Sequence, residues 1–213
     1  MNKLVKLCFL GFALPAMFVL VGCQTTVPIG INKQEIVKPN AQTDLKLTIL
    51  AKAKDARLQA PDQVGRHTIS LLMIPGGMVT SEPEEHLDEA IVNRLTESLT
   101  QVGYSVAHVD RAKDSISPVL IVQIDDLRNY LFTWFYPLGI VWGKMNLSLH
   151  LMSPNGTEIW KARLEGHSGI MPSLLYMSGF QTRVTSDLTA NVNQAIEAIS
   201  SDEFRNALLT KAQ

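Results

Sequence analysis

The sequence predicts an α+β fold: a two-layer sandwich, with an antiparallel or mixed sheet carrying its helices on one face. Three observations carry that prediction. Strand-like runs are grouped after the first helix instead of alternating with helices one by one. That helix has a single apolar stripe, as a helix resting on a sheet does. Two alternating runs also flank a strong turn at Ser153-Pro154-Asn155-Gly156, which makes a hairpin.

Leu45 to Lys54 alternates, with Leu47, Ile49, Ala51 and Ala53 on one side and Lys46, Thr48, Lys52 and Lys54 on the other. It reads as a half-buried strand, although its Leu, Lys and Ala content also suits a short helix. His67 to Ile74 is a second strand, closed by a turn at Pro75-Gly76-Gly77. The glycine pair lacks the spacing of a phosphate-binding loop. A helix is expected from Ser81 to Gly103. Ser81 and Glu84 have capping-box spacing, Leu87, Ile91, Leu95 and Leu99 form the stripe, and Gly103 is the stop. Tyr104 to Val109 is a short strand. Pro118 to Ile124 is apolar on both faces and so reads as a central strand. Lys144 to Met152 and Thr157 to Glu165 are the hairpin arms, with Leu147, Leu149, Leu151, Trp160 and Leu164 inward. A second helix is expected from Ser186, its cap, to Ser200, and a last short one opens at Ser201-Asp202.

The N-terminus has a basic head (Lys3, Lys6), an uncharged apolar run from Leu7 to Val21, and then Gly22-Cys23. These are the parts of a secretory signal, and the run is short for a membrane span. Leu20-Val21-Gly22-Cys23 resembles the lipobox of bacterial lipoproteins, which implies cleavage after residue 22 and acylation of Cys23. Residues 1–22 are then a signal peptide and 23–44 a lipidated, flexible tether; 45–213 form one periplasmic domain. In that family Gln24, rather than Asp, after the cysteine implies transfer to the outer membrane. Cys8 would leave with the signal, so the mature chain would hold no free thiol or disulfide. Without Lys3 and Lys6 there are 17 basic and 20 acidic residues, a balance that gives no reason to expect nucleic acid as a partner.

The lipobox, the Ser81–Gly103 helix, the Leu147–Leu164 hairpin and the closing helices together resemble small α/β-sandwich lipoproteins of the Gram-negative envelope. Examples are the plug lipoprotein of the lipopolysaccharide-assembly complex, the YajG-like lipoproteins and the auxiliary lipoproteins of lipid transporters. The resemblance lies in architecture and order, so it assigns no functional residue beyond Cys23.

Six of the fourteen aromatic residues fall between Tyr130 and Trp142: Tyr130, Phe132, Trp134, Phe135, Tyr136 and Trp142. This stretch is either a strand pair or loop folded back over the sheet, or an exposed apolar loop that meets a membrane interface or a partner. Ile170 to Phe180, with Tyr176 and Phe180, is a second such segment. Side by side, the two would form the binding site.

Catalytic patterns are weak. The histidines His67, His86, His108, His150 and His167 have no metal-site spacing, and Gly166-His167-Ser168-Gly169 misses the nucleophile elbow. His150 is placed on the polar face of its strand. Asp125-Asp126 point opposite ways on a strand. The sequence therefore reads as a non-enzymatic, partner-binding accessory protein of outer-membrane biogenesis or transport. It requires no cofactor besides the covalent lipid, and its partners are the membrane and an envelope protein or lipid. A periplasmic lipid- or small-ligand-binding module is the alternative, and a hydrolase would need residues gathered from distant segments.

Overall fold

The computed structural model describes residues 24–38, 45–69, 74–135, 138–167, 169–174 and 177–210. The lipobox, Cys23, Tyr136 and Tyr176 lie outside them, as do residues 39–44 and 70–73.

A long antiparallel pair is the spine of the sheet. Val119–Phe135 and Leu138–Met152, here β7 and β8, stay paired from Val119↔Met152 to Phe135↔Leu138. The outer edge of β7 is taken in succession by three parallel strands, β2 (Lys46–Leu50), β3 (Lys54–Asp55) and β4 (Gln63–Ile69). β6 (Ser105–Val109) extends the sheet beyond β2; β5 (Ile74–Ser81) and then β1 (Thr25–Val27) extend it beyond β4. On the other side, β8 pairs with β9 (Glu158–Glu165) along its second half and with β10 (Ile170–Ser173) near the β7–β8 tip.

The helices cover one face of this mixed sheet. They are α1 (Leu87–Gln101), α2 (Ser178–Ile199) and α3 (Asp202–Thr210). Ile91 and Leu95 of α1 and Leu188 and Val192 of α2 meet Val122, Leu147 and Leu149 around a void of only about 10 Å³. Phe204 of α3 sets its ring edge-on to Trp160, centroids 4.8 Å apart. The stripe read for α1 is all buried, as are Leu147, Leu149, Leu151 and Leu164. Among the described residues, no helix lies on the other sheet face.

A β-bulge decides what that open face carries. Ile124 pairs with Leu147, but Asp126 pairs with Asn146, so Asp125 is an extra residue. Before the bulge Leu120, Val122 and Ile124 point into the core; after it the inward set is Leu127, Asn129, Leu131 and Thr133. One inserted residue reverses the alternation and turns Tyr130, Phe132 and Trp134 outward.

Several expectations are corrected. Pro75-Gly76-Gly77 is not a turn after a strand; it lies within β5, which carries a register shift opposite His67/Thr68. Ser81 ends β5 instead of capping α1, which begins six residues later. Its cap comes from a distant loop: the Asp62 carboxylate accepts the Leu87 N–H at 3.2 Å. α2 begins at Ser178, not Ser186, because the buried Phe180 and Val184 extend the Leu188–Val192 stripe by two turns despite indifferent local propensity. The tether expected over 23–44 is folded onto the domain from Gln24 to Lys38. β1 joins the sheet, Val27, Ile29 and Ile36 are buried, and backbone groups of Asn32, Glu35 and Val37 bond to Thr189 and Asn193 of α2.

Candidate functional site

At its tip end, the open face is apolar. Tyr130 pairs with Trp142 and Phe132 with Ile140, and β10 adds Ile170 beside Trp142 and Pro172 beside Ile140. The Tyr130 and Trp142 rings stack at 5.6 Å, and Phe132 meets Trp134 edge-on at 6.1 Å. Trp134 is 55 % exposed, Leu138 51 % and Ile170 72 %. Contiguous apolar surface of this kind is uncommon on a soluble face without a use. Between Tyr130, Trp142 and Ile170 on one side and Arg128 and Lys144 on the other lies an open cleft of about 360 Å³.

The cleft's polar side is a salt-bridged rim. Arg128 donates from Nε and Nη2 to the two Asp126 oxygens, both at 2.7 Å, and Lys144 Nζ lies 2.7 Å from Oδ2. Burial pushes the Asp126 carboxyl up, but the hydrogen bonds and charges of Arg128 and Lys144 outweigh it and hold the group below its ordinary value. The rim is thereby fixed as one carboxylate between two cations.

Beneath this end, on the helix side, α2 supplies a buried polar plinth. Arg183 pairs with Asp187 at 2.9 Å and donates to the carbonyls of Gly143 at 2.8 Å, of Gly169 at 3.4 Å, and of His167. One guanidinium thus ties β8 to the β9–β10 link. Asn191 donates to the Met145 carbonyl at 3.0 Å. Asp187 is fully buried, and among the described residues its Oδ1 has no hydrogen-bond donor. Burial raises its pKa to about 6, against the opposing pull of Arg183 and His167. His67 is also buried on this side, 3.1 Å from the Thr133 hydroxyl, and burial lowers its pKa.

The sequence-predicted site residues divide. Tyr130, Phe132, Trp134 and Trp142 are together on the open face, and the 170–173 segment is beside them, as the alignment of β10 on β8 requires. The stretch is a strand pair continuous with the central strand rather than a separate loop, since Gly139 lies inside β8 and does not interrupt it. Phe135 ends β7. Phe180 does not belong to the surface: it is 0 % exposed, packed under Gly65, where it is core.

One arrangement escaped the sequence. Ser148 Oγ lies 3.0 Å from His150 Nε2, and His150 Nδ1 bonds to Glu158, the order of an acyl-transfer relay. The Ser148–x–His150 spacing places both on one strand face and β9 brings Glu158 across, a pairing visible only once the hairpin register is known. Ser148 is only 1 % exposed in mid-strand, so a substrate carbonyl cannot reach its oxygen. The hydrogen bond from His150 is the main cause that holds Glu158 below its ordinary pKa. The group ties β8 to β9. Elsewhere, His86 meets Asp62 and His108 meets Thr96. Among the described residues no cluster of three His, Cys, Asp or Glu side chains could hold a metal ion, and no helix is long and apolar enough to cross a membrane.

No family model and no curated protein matches the sequence. Solved structures similar to this chain include the following three. One is a protein from Xanthomonas campestris described by the family model DUF330, with 15 % identity over 82 % of this chain and 93 % of its own, and a TM-score of 0.45. The second, an uncharacterized protein, has 13 % identity over 83 % and 99 %, with a TM-score of 0.41. The third is a single-substitution variant of the PelC dodecamer from Paraburkholderia phytofirmans, with 12 % identity over 74 % and 91 %, and a TM-score of 0.33. None of these likenesses bears on what the chain does.

Proposed function

We propose that this chain is a lipid-anchored lipoprotein of the outer membrane, facing the periplasm, that performs no chemistry and serves as an accessory module of envelope assembly or transport. It would bind an apolar partner through the tip end of its open face. The observation that carries the reading is the outward row of Tyr130, Phe132, Trp134, Trp142 and Ile170, presented on a rigid spine and bordered by the Asp126 rim. Aromatic anchors beside a satisfied polar rim are the composition of a binding surface. The cleft under Arg128 and Lys144 favours a second reading, in which the occupant is a small amphiphile with an acidic head.

Two measurements test the proposal. Labelling cells with a palmitate analogue should mark the wild-type chain and leave Cys23→Ser unmarked and released from membranes. Crosslinked pull-downs should then lose their captured species in the Tyr130→Ser/Trp134→Ser variant while its circular dichroism stays native. Unlabelled wild type removes the anchor, and unchanged capture by the folded variant removes the surface.

A further inference from the structure

The apolar end of the open face and the point where the N-terminal segment joins the domain lie at the same end of the sheet. β7 runs toward the β7–β8 tip, β4 runs parallel to it, β5 runs back, and β1 is parallel to β5. The chain therefore enters β1 from the tip end. Gln24 is already fixed, its side-chain amide donating to Thr80 Oγ1 at 3.0 Å, so Cys23 adjoins folded structure with no tether between.

The register gives the distances. Thr25 is level with Val79, Gly65 and Asn129. Trp134 lies five residues further along β7, or ~17 Å at the rise of a strand. The two residues from Thr25 back to Cys23 cover at most ~7 Å of that height. The remaining offset is ~10 Å along the strands and three strand spacings, ~14 Å, across them. A tilt of the strands by roughly 35° places both points in one plane, well within what a globular domain on a surface can adopt.

We infer that the partner of this apolar end is the bilayer interface that holds the Cys23 lipid, with Trp134 and Leu138 seated among the headgroups and the Tyr130–Trp142 stack at their edge. The inference rests on the lipid anchor proposed above. Three features favour a lipid surface over a protein groove. The apolar residues are at the anchored end and not the free one; Trp and Tyr are the residues that settle at membrane interfaces; and the exposed Arg66, opposite Tyr130 on β4, stands at the same level as a cation for phosphate. The opposite, free end of the same face carries Lys161, Arg163, Glu158 and His150 and stays in water.

The test uses the full mature protein, purified with its lipid and reconstituted in vesicles containing phosphatidylcholine brominated near the headgroup. Intact mass first reports whether Cys23 is acylated. Tryptophan fluorescence should be quenched relative to unbrominated vesicles. Since Trp160 is buried and Trp142 only half-exposed, Trp134→Phe should remove roughly half or more of that quenching. Leu138→Asp, which leaves all three tryptophans in place, should reduce it as well. Acylated protein whose quenching is unaffected by either substitution overturns the membrane seat and leaves the anchored binding module standing with a protein partner. A chain without acyl groups overturns both.

Discussion

Replacing Asp187 by Asn sets the cost of a buried carboxylate against the attraction of its arginine. Asp187 is sealed beneath the sheet, with Arg183 at 2.9 Å and His167 Nδ1 at 3.8 Å as its charged or titratable neighbours. Burial dominates and raises its pKa from 3.8 to about 6. The unfolded chain gives up this proton near pH 4, whereas the folded chain keeps it until about pH 6. Between those values the native state binds more protons, so this group's contribution to stability is full well below pH 4 and is lost as pH rises through 6. A shift of about two units corresponds to ~3 kcal/mol. Urea unfolding at half-unit steps from pH 4 to 7.5 gives the stability of wild type minus that of Asp187→Asn. The other carboxylates cancel in the difference, and a His167→Gln background removes the neighbouring imidazole. The difference should fall by ~2.5 kcal/mol across that range, the first ~0.5 kcal/mol of the total being lost below pH 4. A difference that rises with pH means that Arg183 depresses the carboxyl, and refutes the reasoning.

Three further outcomes are expected. Gly143→Ala should destabilise by about 1–3 kcal/mol in urea and broaden NMR signals of the β7–β8 tip, because its Cβ would lie 2.2 Å from the Arg128 carbonyl oxygen. Phe204→Ala empties a fully buried site against Trp160 and should cost about 3–5 kcal/mol, with loss of the near-ultraviolet dichroism of that indole. Ser148→Ala should cost about 1 kcal/mol by releasing His150, and neither it nor wild type should turn over p-nitrophenyl esters; Ser148-dependent turnover would reopen the hydrolase.

The legible parts of the fold were those where one local pattern meets one burial outcome. The Leu87–Leu99 stripe, the Leu147–Leu164 hairpin with its Gly156 turn, and the Ser201 cap of α3, whose hydroxyl accepts the Phe204 N–H, follow from spacing alone. What the sequence concealed depended on distant partners. Asp62 caps α1 from a loop, which left Ser81 free to end a strand. α2 extends to Ser178 because Phe180 and Val184 find a core, not because residues 178–185 favour helix. The aromatic stretch was conspicuous by composition, yet its outward face depends on the bulge at Asp125, which no alternation pattern marks in advance. Phe180 was misplaced for the same reason: only the close approach allowed by Gly65 makes room for its ring. The Arg183–Asp187 plinth and the Ser148–His150–Glu158 relay required register.

Whether the tip end of the open face is the working surface of an anchored module is tested most directly by in-cell photocrosslinking. A benzophenone amino acid is placed at position 134 or, on the water-facing end of the same face, at position 163. Adducts with lipid or with a defined envelope protein at 134, and none at 163, are the predicted result. Equal yields at the two positions, or none at either in folded, membrane-fractionated protein, would contradict it.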